Sequence, residues 1–207
     1  MKLTKVISLC LITLLTIIAV SCASTGGGSG GGGGAVARGP GGSWNFDDPG
    51  AGTQGWELAS AEYYMYRGPI SLSYDDTTLG KGLLRLDVDF TQHKDLEWSE
   101  PKILNDFPRA FNMKGITRFV FDFYYNPSLC TEGHFKAKVF SNSNGIMVNN
   151  NSDAIEGGTG AGEGFLKQEV TILIMPVSGF MTDLRLSIAG YLTDYKGPVF
   201  FGNMRWE

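Results

Sequence analysis

The sequence predicts an all-β protein, an antiparallel β-sandwich of jelly-roll type, on three observations. Short runs of alternating apolar and polar residues recur from Trp44 to the last residues. No long stretch carries a clean 3.6-residue apolar period, and Gly, Asn, Asp and Pro punctuate the runs. Strands so punctuated and without helices pack as two sheets.

The predicted strands follow in order. Trp44–Asp47, Trp56–Ala59, Glu62–Arg67 and Ile70–Tyr74 open the domain. The clearest run is Leu84–Phe90, where Leu84, Leu86, Val88 and Phe90 alternate with Arg85, Asp87 and Asp89, so one face is core and the other wet. Trp98–Leu104 comes next. In Ile116–Tyr125 the aromatics Phe119, Phe121, Phe123 and Tyr125 alternate with Arg118, Val120, Asp122 and Tyr124, a second face that is only partly polar. Phe135–Ser141, Ile146–Asn149, Lys167–Met175, Asp183–Tyr191 and Val199–Trp206 complete the set. Apart from its short apolar island, Asn142–Gly164 is mostly Asn, Ser, Gly and acidic residues and reads as a long loop, a common place for binding residues.

The 207 residues divide into three parts. Residues 1–21 are expected to be a lipoprotein signal peptide: Lys2 and Lys5 precede an apolar run that ends in Ala19-Val20-Ser21-Cys22, and the run is too short for a spanning helix. The tetrad resembles a bacterial lipobox, which implies cleavage before Cys22 and acylation of that residue. Residues 22–43 are the lipidated cysteine and a tether, for 11 of the 29 glycines fall within 26–42. Seventeen such residues reach roughly 20–25 Å. Residues 44–207 form the folded domain.

Composition narrows the function classes. The net charge is −4 and the basic residues are scattered singly, so no nucleic-acid partner is expected. Two histidines leave little room for His-based metal or triad chemistry. Once Cys10 leaves with the signal and Cys22 is acylated, Cys130 stands alone, so stability must come from the core and a buried, inert thiol is expected there. Asp87 and Asp89 on one strand face are geometrically permissible for a small glycoside hydrolase or lyase, yet acidic residues on a wet strand face are the default. Asp47-Asp48 and Asp75-Asp76 read equally as calcium ligands or turn signals.

Near the C-terminus, Leu184-Arg185-Leu186-Ser187-Ile188-Ala189-Gly190-Tyr191 precedes Asp194-Tyr195-Lys196-Gly197-Pro198-Val199-Phe200-Phe201-Gly202-Asn203-Met204-Arg205-Trp206. Upstream stand Asn45-Phe46-Asp47 with Gly55-Trp56, the strand Gly82–Phe90, and Trp98-Ser99-Glu100-Pro101-Lys102-Ile103. Together these segments resemble carbohydrate-binding module family 27. The resemblance covers about residues 44–207 and is most specific in the last 25 residues. It implies a non-catalytic jelly roll that binds β-1,4-mannan, glucomannan or galactomannan in a groove, with a separate mannanase as a partner. Two departures stand out. Phe140–Met147 has no tryptophan where a third ligand aromatic is expected, and Gly202 replaces a common Asp, which counts against a structural calcium site; no cofactor is expected.

Aromatic rings recognise sugars because the axial C–H side of a pyranose is apolar and matches the negative face of an indole. The expected carbohydrate contacts are therefore Trp56 and Trp98, with Glu100 and Lys102 on the Trp98 face at period two, and Asn142 beyond its strand. Trp44 and Trp206 are expected in core or rim packing. The expected location is the bacterial cell envelope, with the membrane reached through the lipid on Cys22. A structural or adhesive surface lipoprotein without sugar binding is the alternative. Exposure of Trp56 and Trp98 on one concave face favours the sugar binder, and burial of both favours the alternative.

Overall fold

The computed structural model describes residues 42–59, 66, 68–143, 146–174 and 179–207. The signal peptide, Cys22 and nearly all of the tether lie outside the described residues, as does the strand expected at Glu62–Arg67 apart from Tyr66.

Chain entry is through β1 (Ser43–Trp44) and β2 (Trp56–Leu58), followed by β3 (Ser71–Asp75), β4 (Leu83–Asp89), β5 (Lys102–Asn112) and β6 (Arg118–Tyr125). The second half holds β7 (His134–Ser143), β8 (Ile146–Ile155), β9 (Thr159–Gly162), β10 (Phe165–Leu173), β11 (Phe180–Tyr191) and β12 (Lys196–Trp206). The only helical pieces among the described residues are 3-10 turns at Pro49–Ala51, Thr91–His93 and Pro127–Leu129. Seven strands form one sheet in the order β3-β4-β12-β6-β10-β9, with β1 also on β12, and five form the other in the order β2-β5-β11-β7-β8. Every pairing is antiparallel. This is the expected jelly-roll sandwich.

Alternation drives the packing. Leu84, Leu86 and Val88 of β4, Phe119, Phe121 and Phe123 of β6, and Leu184, Leu186 and Ile188 of β11 all turn inward into one core. That core is rich in large rings, including Trp44, Phe46, Phe90, Phe201 and Tyr195. Each ring stabilises the fold by about 1.5–3 kcal/mol relative to staying in water. Trp44 and Trp206 are both buried in it, as expected.

Three readings need correction. The expected strand at Trp44–Asp47 stops at Trp44, because Phe46 adopts a left-handed φ of 59° that turns the chain. Its carbonyl then leaves no room opposite: a Cβ on Gly82 would lie 1.8 Å from Phe46 O, so only glycine fits there. The strand expected to end at Leu104 continues as β5 to Asn112 against the first half of β11, with a register shift between Met181 and Asp183. Asn105 is tolerated inside it because its side-chain amide donates to Gln54 O at 3.2 Å.

The long loop expected over Asn142–Gly164 is instead mostly strand: the short strand expected at Ile146–Asn149 continues as β8 to Ile155, and β9 follows. β8 lies at the edge of its sheet and pairs only with β7, so backbone hydrogen bonding is met on one side while polar side chains such as Asn149 and Asn151 stay wet.

Candidate functional site

The outward face of the five-stranded sheet can be laid out row by row from its register. Ser99 bridges Gly190, which sets Trp98 beside Tyr191 and Glu100 beside Ala189. The next row is Lys102, Ser187 and Lys138, and the one after it Leu104, Arg185 and Phe140. Tyr191 is paired in turn with His134, and Ala189 with Lys136. Directly opposed residues of an antiparallel pair project to the same face, so Trp98, Glu100 and Lys102 share the face that period-two spacing predicts.

The middle of this face is an ion-paired bridge. The Glu100 carboxylate takes Lys102 Nζ on Oε1 and Lys138 Nζ on Oε2, each at 2.7 Å. Glu100 and Lys138 lie on opposite sides of β11, so their contact crosses above it, which the small side chains Ala189 and Ser187 permit. Both ammonium groups also meet rings: Lys138 Nζ is 4.1 Å from the centre of Trp98 and Lys102 Nζ 4.4 Å from that of Phe140. All three charged side chains are at most 10% exposed. A buried charge without a partner costs several kcal/mol, and one carboxylate shared by two lysines leaves the group with a single net positive charge. Ser187 beneath it is fully buried and its hydroxyl has no hydrogen-bond partner.

Around the bridge the face opens. Trp98 is half-buried, with Lys138 against its ring. Tyr191 and His134 are also half-buried; their ring centres are 5.1 Å apart and their planes 3° from parallel. Lys136 Nζ lies 5.2 Å from the centre of Tyr191. At the far end Arg185 Nε approaches Asp183 Oδ1 at 3.4 Å. Asn142 is within β7, opposite Asp183 and Met147, so its register position belongs to the last row of this face.

Trp56 is not part of the face. It is 2% exposed and packs edge-on against Trp44 in the core, ring centres 5.4 Å apart. The reason is register: Trp56 opposes Asn105, which opposes Leu184, and that row points inward. Its neighbour Glu57, opposite Leu104, is the exposed residue of β2. Sequence reasoning also missed Lys138, Phe140, Tyr191 and Ser187. Alternation on β7 and β11 carries the signal for them, but only the pairing of those strands with β5 makes them neighbours of Trp98.

The acidic residues weighed for other chemistry have local roles. Asp87 binds Arg85 at 2.8 Å and accepts from Ser71, while Asp89 accepts from Thr91 and pairs with Lys196 at 2.9 Å. The Thr91 hydrogen bond is the leading influence that lowers the Asp89 pKa. Asp48 caps the turn at Gly50, and Asp75 that at Thr77 and Thr78. Among the described residues no three of His, Cys, Asp and Glu are grouped to hold a metal ion. Cys130 is half-buried rather than buried, its thiol donating to Glu132 O at 2.7 Å and lying 3.0 Å from Thr193 Oγ1.

Two antiparallel sheets, an aromatic core and no α-helix among the described residues define a jelly-roll β-sandwich, a fold this chain shares with solved carbohydrate-binding modules. A family 27 module from Caldicellulosiruptor saccharolyticus, solved with mannohexaose, is 20% identical over 79% of this chain and 95% of its own, with a TM-score of 0.61. Another family 27 module, described for specific mannan recognition, is 19% identical over 79% of this chain and 94% of its own, with a TM-score of 0.59. A family 28 module specific for non-crystalline cellulose is also 19% identical, over 74% of this chain and 87% of its own, at 0.59. What these similarities establish is the fold. No family model and no curated protein matches the sequence.

Proposed function

We propose that this chain is a non-catalytic surface lipoprotein whose five-stranded sheet binds a β-1,4-mannan-type polysaccharide. The observation that carries this reading is the convergence of Trp98, Glu100 and Lys102 on one outward face, with Trp98 half-exposed and seated against Lys138. An indole fixed in this way offers a rigid apolar platform for a pyranose, and the Glu100–Lys102–Lys138 bridge supplies charged donors and acceptors for hydroxyl groups. The mannan-binding modules that share the fold support the choice of polymer. In this reading Cys22 carries the lipid, the Gly-rich tether lifts the domain off the bacterial envelope, and a separate mannanase uses the captured polymer.

The burial of Trp56 favours a second reading, a structural or adhesive surface lipoprotein without sugar binding, because it removes one of the two expected platforms. Affinity electrophoresis separates the two. The chain is run in gels containing glucomannan, galactomannan, xylan, a cellulose derivative or no polymer, beside Trp98→Ala. Retardation by the mannans alone, lost in the variant, is the expected outcome. Equal mobility in every gel rejects polysaccharide binding and leaves the adhesive reading.

A further inference from the structure

Tyr191 and Trp98 are cross-strand neighbours on one face, a placement in which side chains ordinarily touch. Among the described residues no ring contact joins them. Trp98 instead meets Lys138, four residues along β7 from His134, while Tyr191 stacks on His134 itself. The two contacts to the Tyr191 ring, His134 and Lys136, both come from β7. Both rings are partly open to solvent. Two half-buried aromatic side chains therefore share one row of the outward face, next to the buried row of Glu100 and Ala189.

We propose that Tyr191, braced by His134, is the second aromatic contact of the polysaccharide site, in the role that Trp56 is too deeply buried to play. A pyranose ring suits this pair of rings chemically. Its C–H faces meet Trp98 and Tyr191, and its rim hydroxyls reach the Lys136 ammonium and the Glu100–Lys138 pair. His134 acts as a positioning residue: stacked parallel to Tyr191, it keeps the phenol from turning away when no sugar is bound. The inference deepens the polysaccharide reading above and rests on it.

The test uses the full chain and glucomannan gels, with Trp98→Ala, Tyr191→Ala, Tyr191→Phe and His134→Ala, and near-ultraviolet circular dichroism as the check on folding. Tyr191→Ala is expected to weaken retardation about tenfold, as loss of one stacked ring does, and Tyr191→Phe to change it by less than about twofold. His134→Ala falls between them. A Tyr191→Ala protein that binds like wild type while Trp98→Ala does not overturns the inference and leaves the reading of the face intact. A wild-type chain retarded by no polymer overturns both. A second readout does not depend on the variants folding. The ring-proton resonances of His134 are expected to shift when mannohexaose is titrated into the wild-type chain, and their constancy at saturation also overturns the assignment.

Discussion

The outward faces of the two sheets have been finished in opposite ways. On the seven-stranded sheet, Tyr124 and Phe200 are fully buried although they point away from the main core, because Leu83 and Phe165 cover them in a second small apolar cluster. Its polar groups are matched locally. Lys81 donates to the Tyr124 hydroxyl at 2.6 Å, and the buried Asp122 carboxylate takes Lys167 at 2.9 Å and the Asn203 amide at 2.5 Å. Burial and the nearby Asp122 charge push the Tyr124 pKa well above the ordinary phenol value. Among the described residues no such apolar cluster covers the middle of the five-stranded sheet. It is spanned by an ion-paired bridge, and its rim rings are half-exposed. A face closed by hydrophobic side chains contributes to stability, whereas one held together by charges and edged with open rings keeps the groups a ligand needs within reach.

The comparison is sharpened most by perturbing each face and reading both stability and binding. Phe200→Ala empties the small cluster and is expected to lower stability by about 3–5 kcal/mol in denaturant titration. Retardation in glucomannan gels at a temperature where the variant is folded should match wild type, and a lost interaction there would mean that the two faces are not independent. Glu100→Gln leaves two buried ammonium groups without their counter-charge and is expected to cost about 3 kcal/mol or somewhat more. Replacing Glu100, Lys102 and Lys138 together by Met should recover most of that loss while retardation stays abolished. If the triple variant binds as wild type does, the bridge has no part in recognition.

The smallest effect is a pH dependence outside both faces. Asp194 accepts from the Thr131 hydroxyl and, at 2.7 Å, from the Thr131 backbone N–H, and these hydrogen bonds lower its pKa to about 2. A depressed folded-state pKa means that the contribution is fully present above the ordinary carboxylate value of 3.8 and is lost as the pH falls toward 2. Thermal melts of wild type and Asp194→Asn should differ above pH 4 and converge near pH 2. A constant offset across that range would assign the effect to something other than ionisation.

Much of this was legible in the sequence, and what was not has a common cause. Period-two alternation correctly identified the inward rows of β4 and β6, and put Trp98, Glu100 and Lys102 on one side of their strand. It could not say which way Trp56 faces, because a three-residue strand has no pattern of its own and takes its orientation from its pairing with β5. Nor could composition reveal how far β8 runs beyond the expected Ile146–Asn149. Asn149, Asn150 and Asn151 look like loop, and they are strand because β7 offers them a ladder and water accepts their side chains. Lys138 and Tyr191 are ordinary strand residues until β11 is set between β5 and β7.

The shortest strand also decides how the domain bears a pull. Ser43 and Trp44 pair with Arg205 and Met204, and the Trp44 indole is lodged among Trp56, Phe107 and Phe119. Any tension carried by the chain before Ser43 enters the folded part at this point. It acts first on a two-residue ladder and then on a ring locked deep in the interior. Trp44 thus fastens the start of the folded part to the sandwich, and under the proposed function drag on a polymer held by the five-stranded sheet would reach it through the aromatic interior.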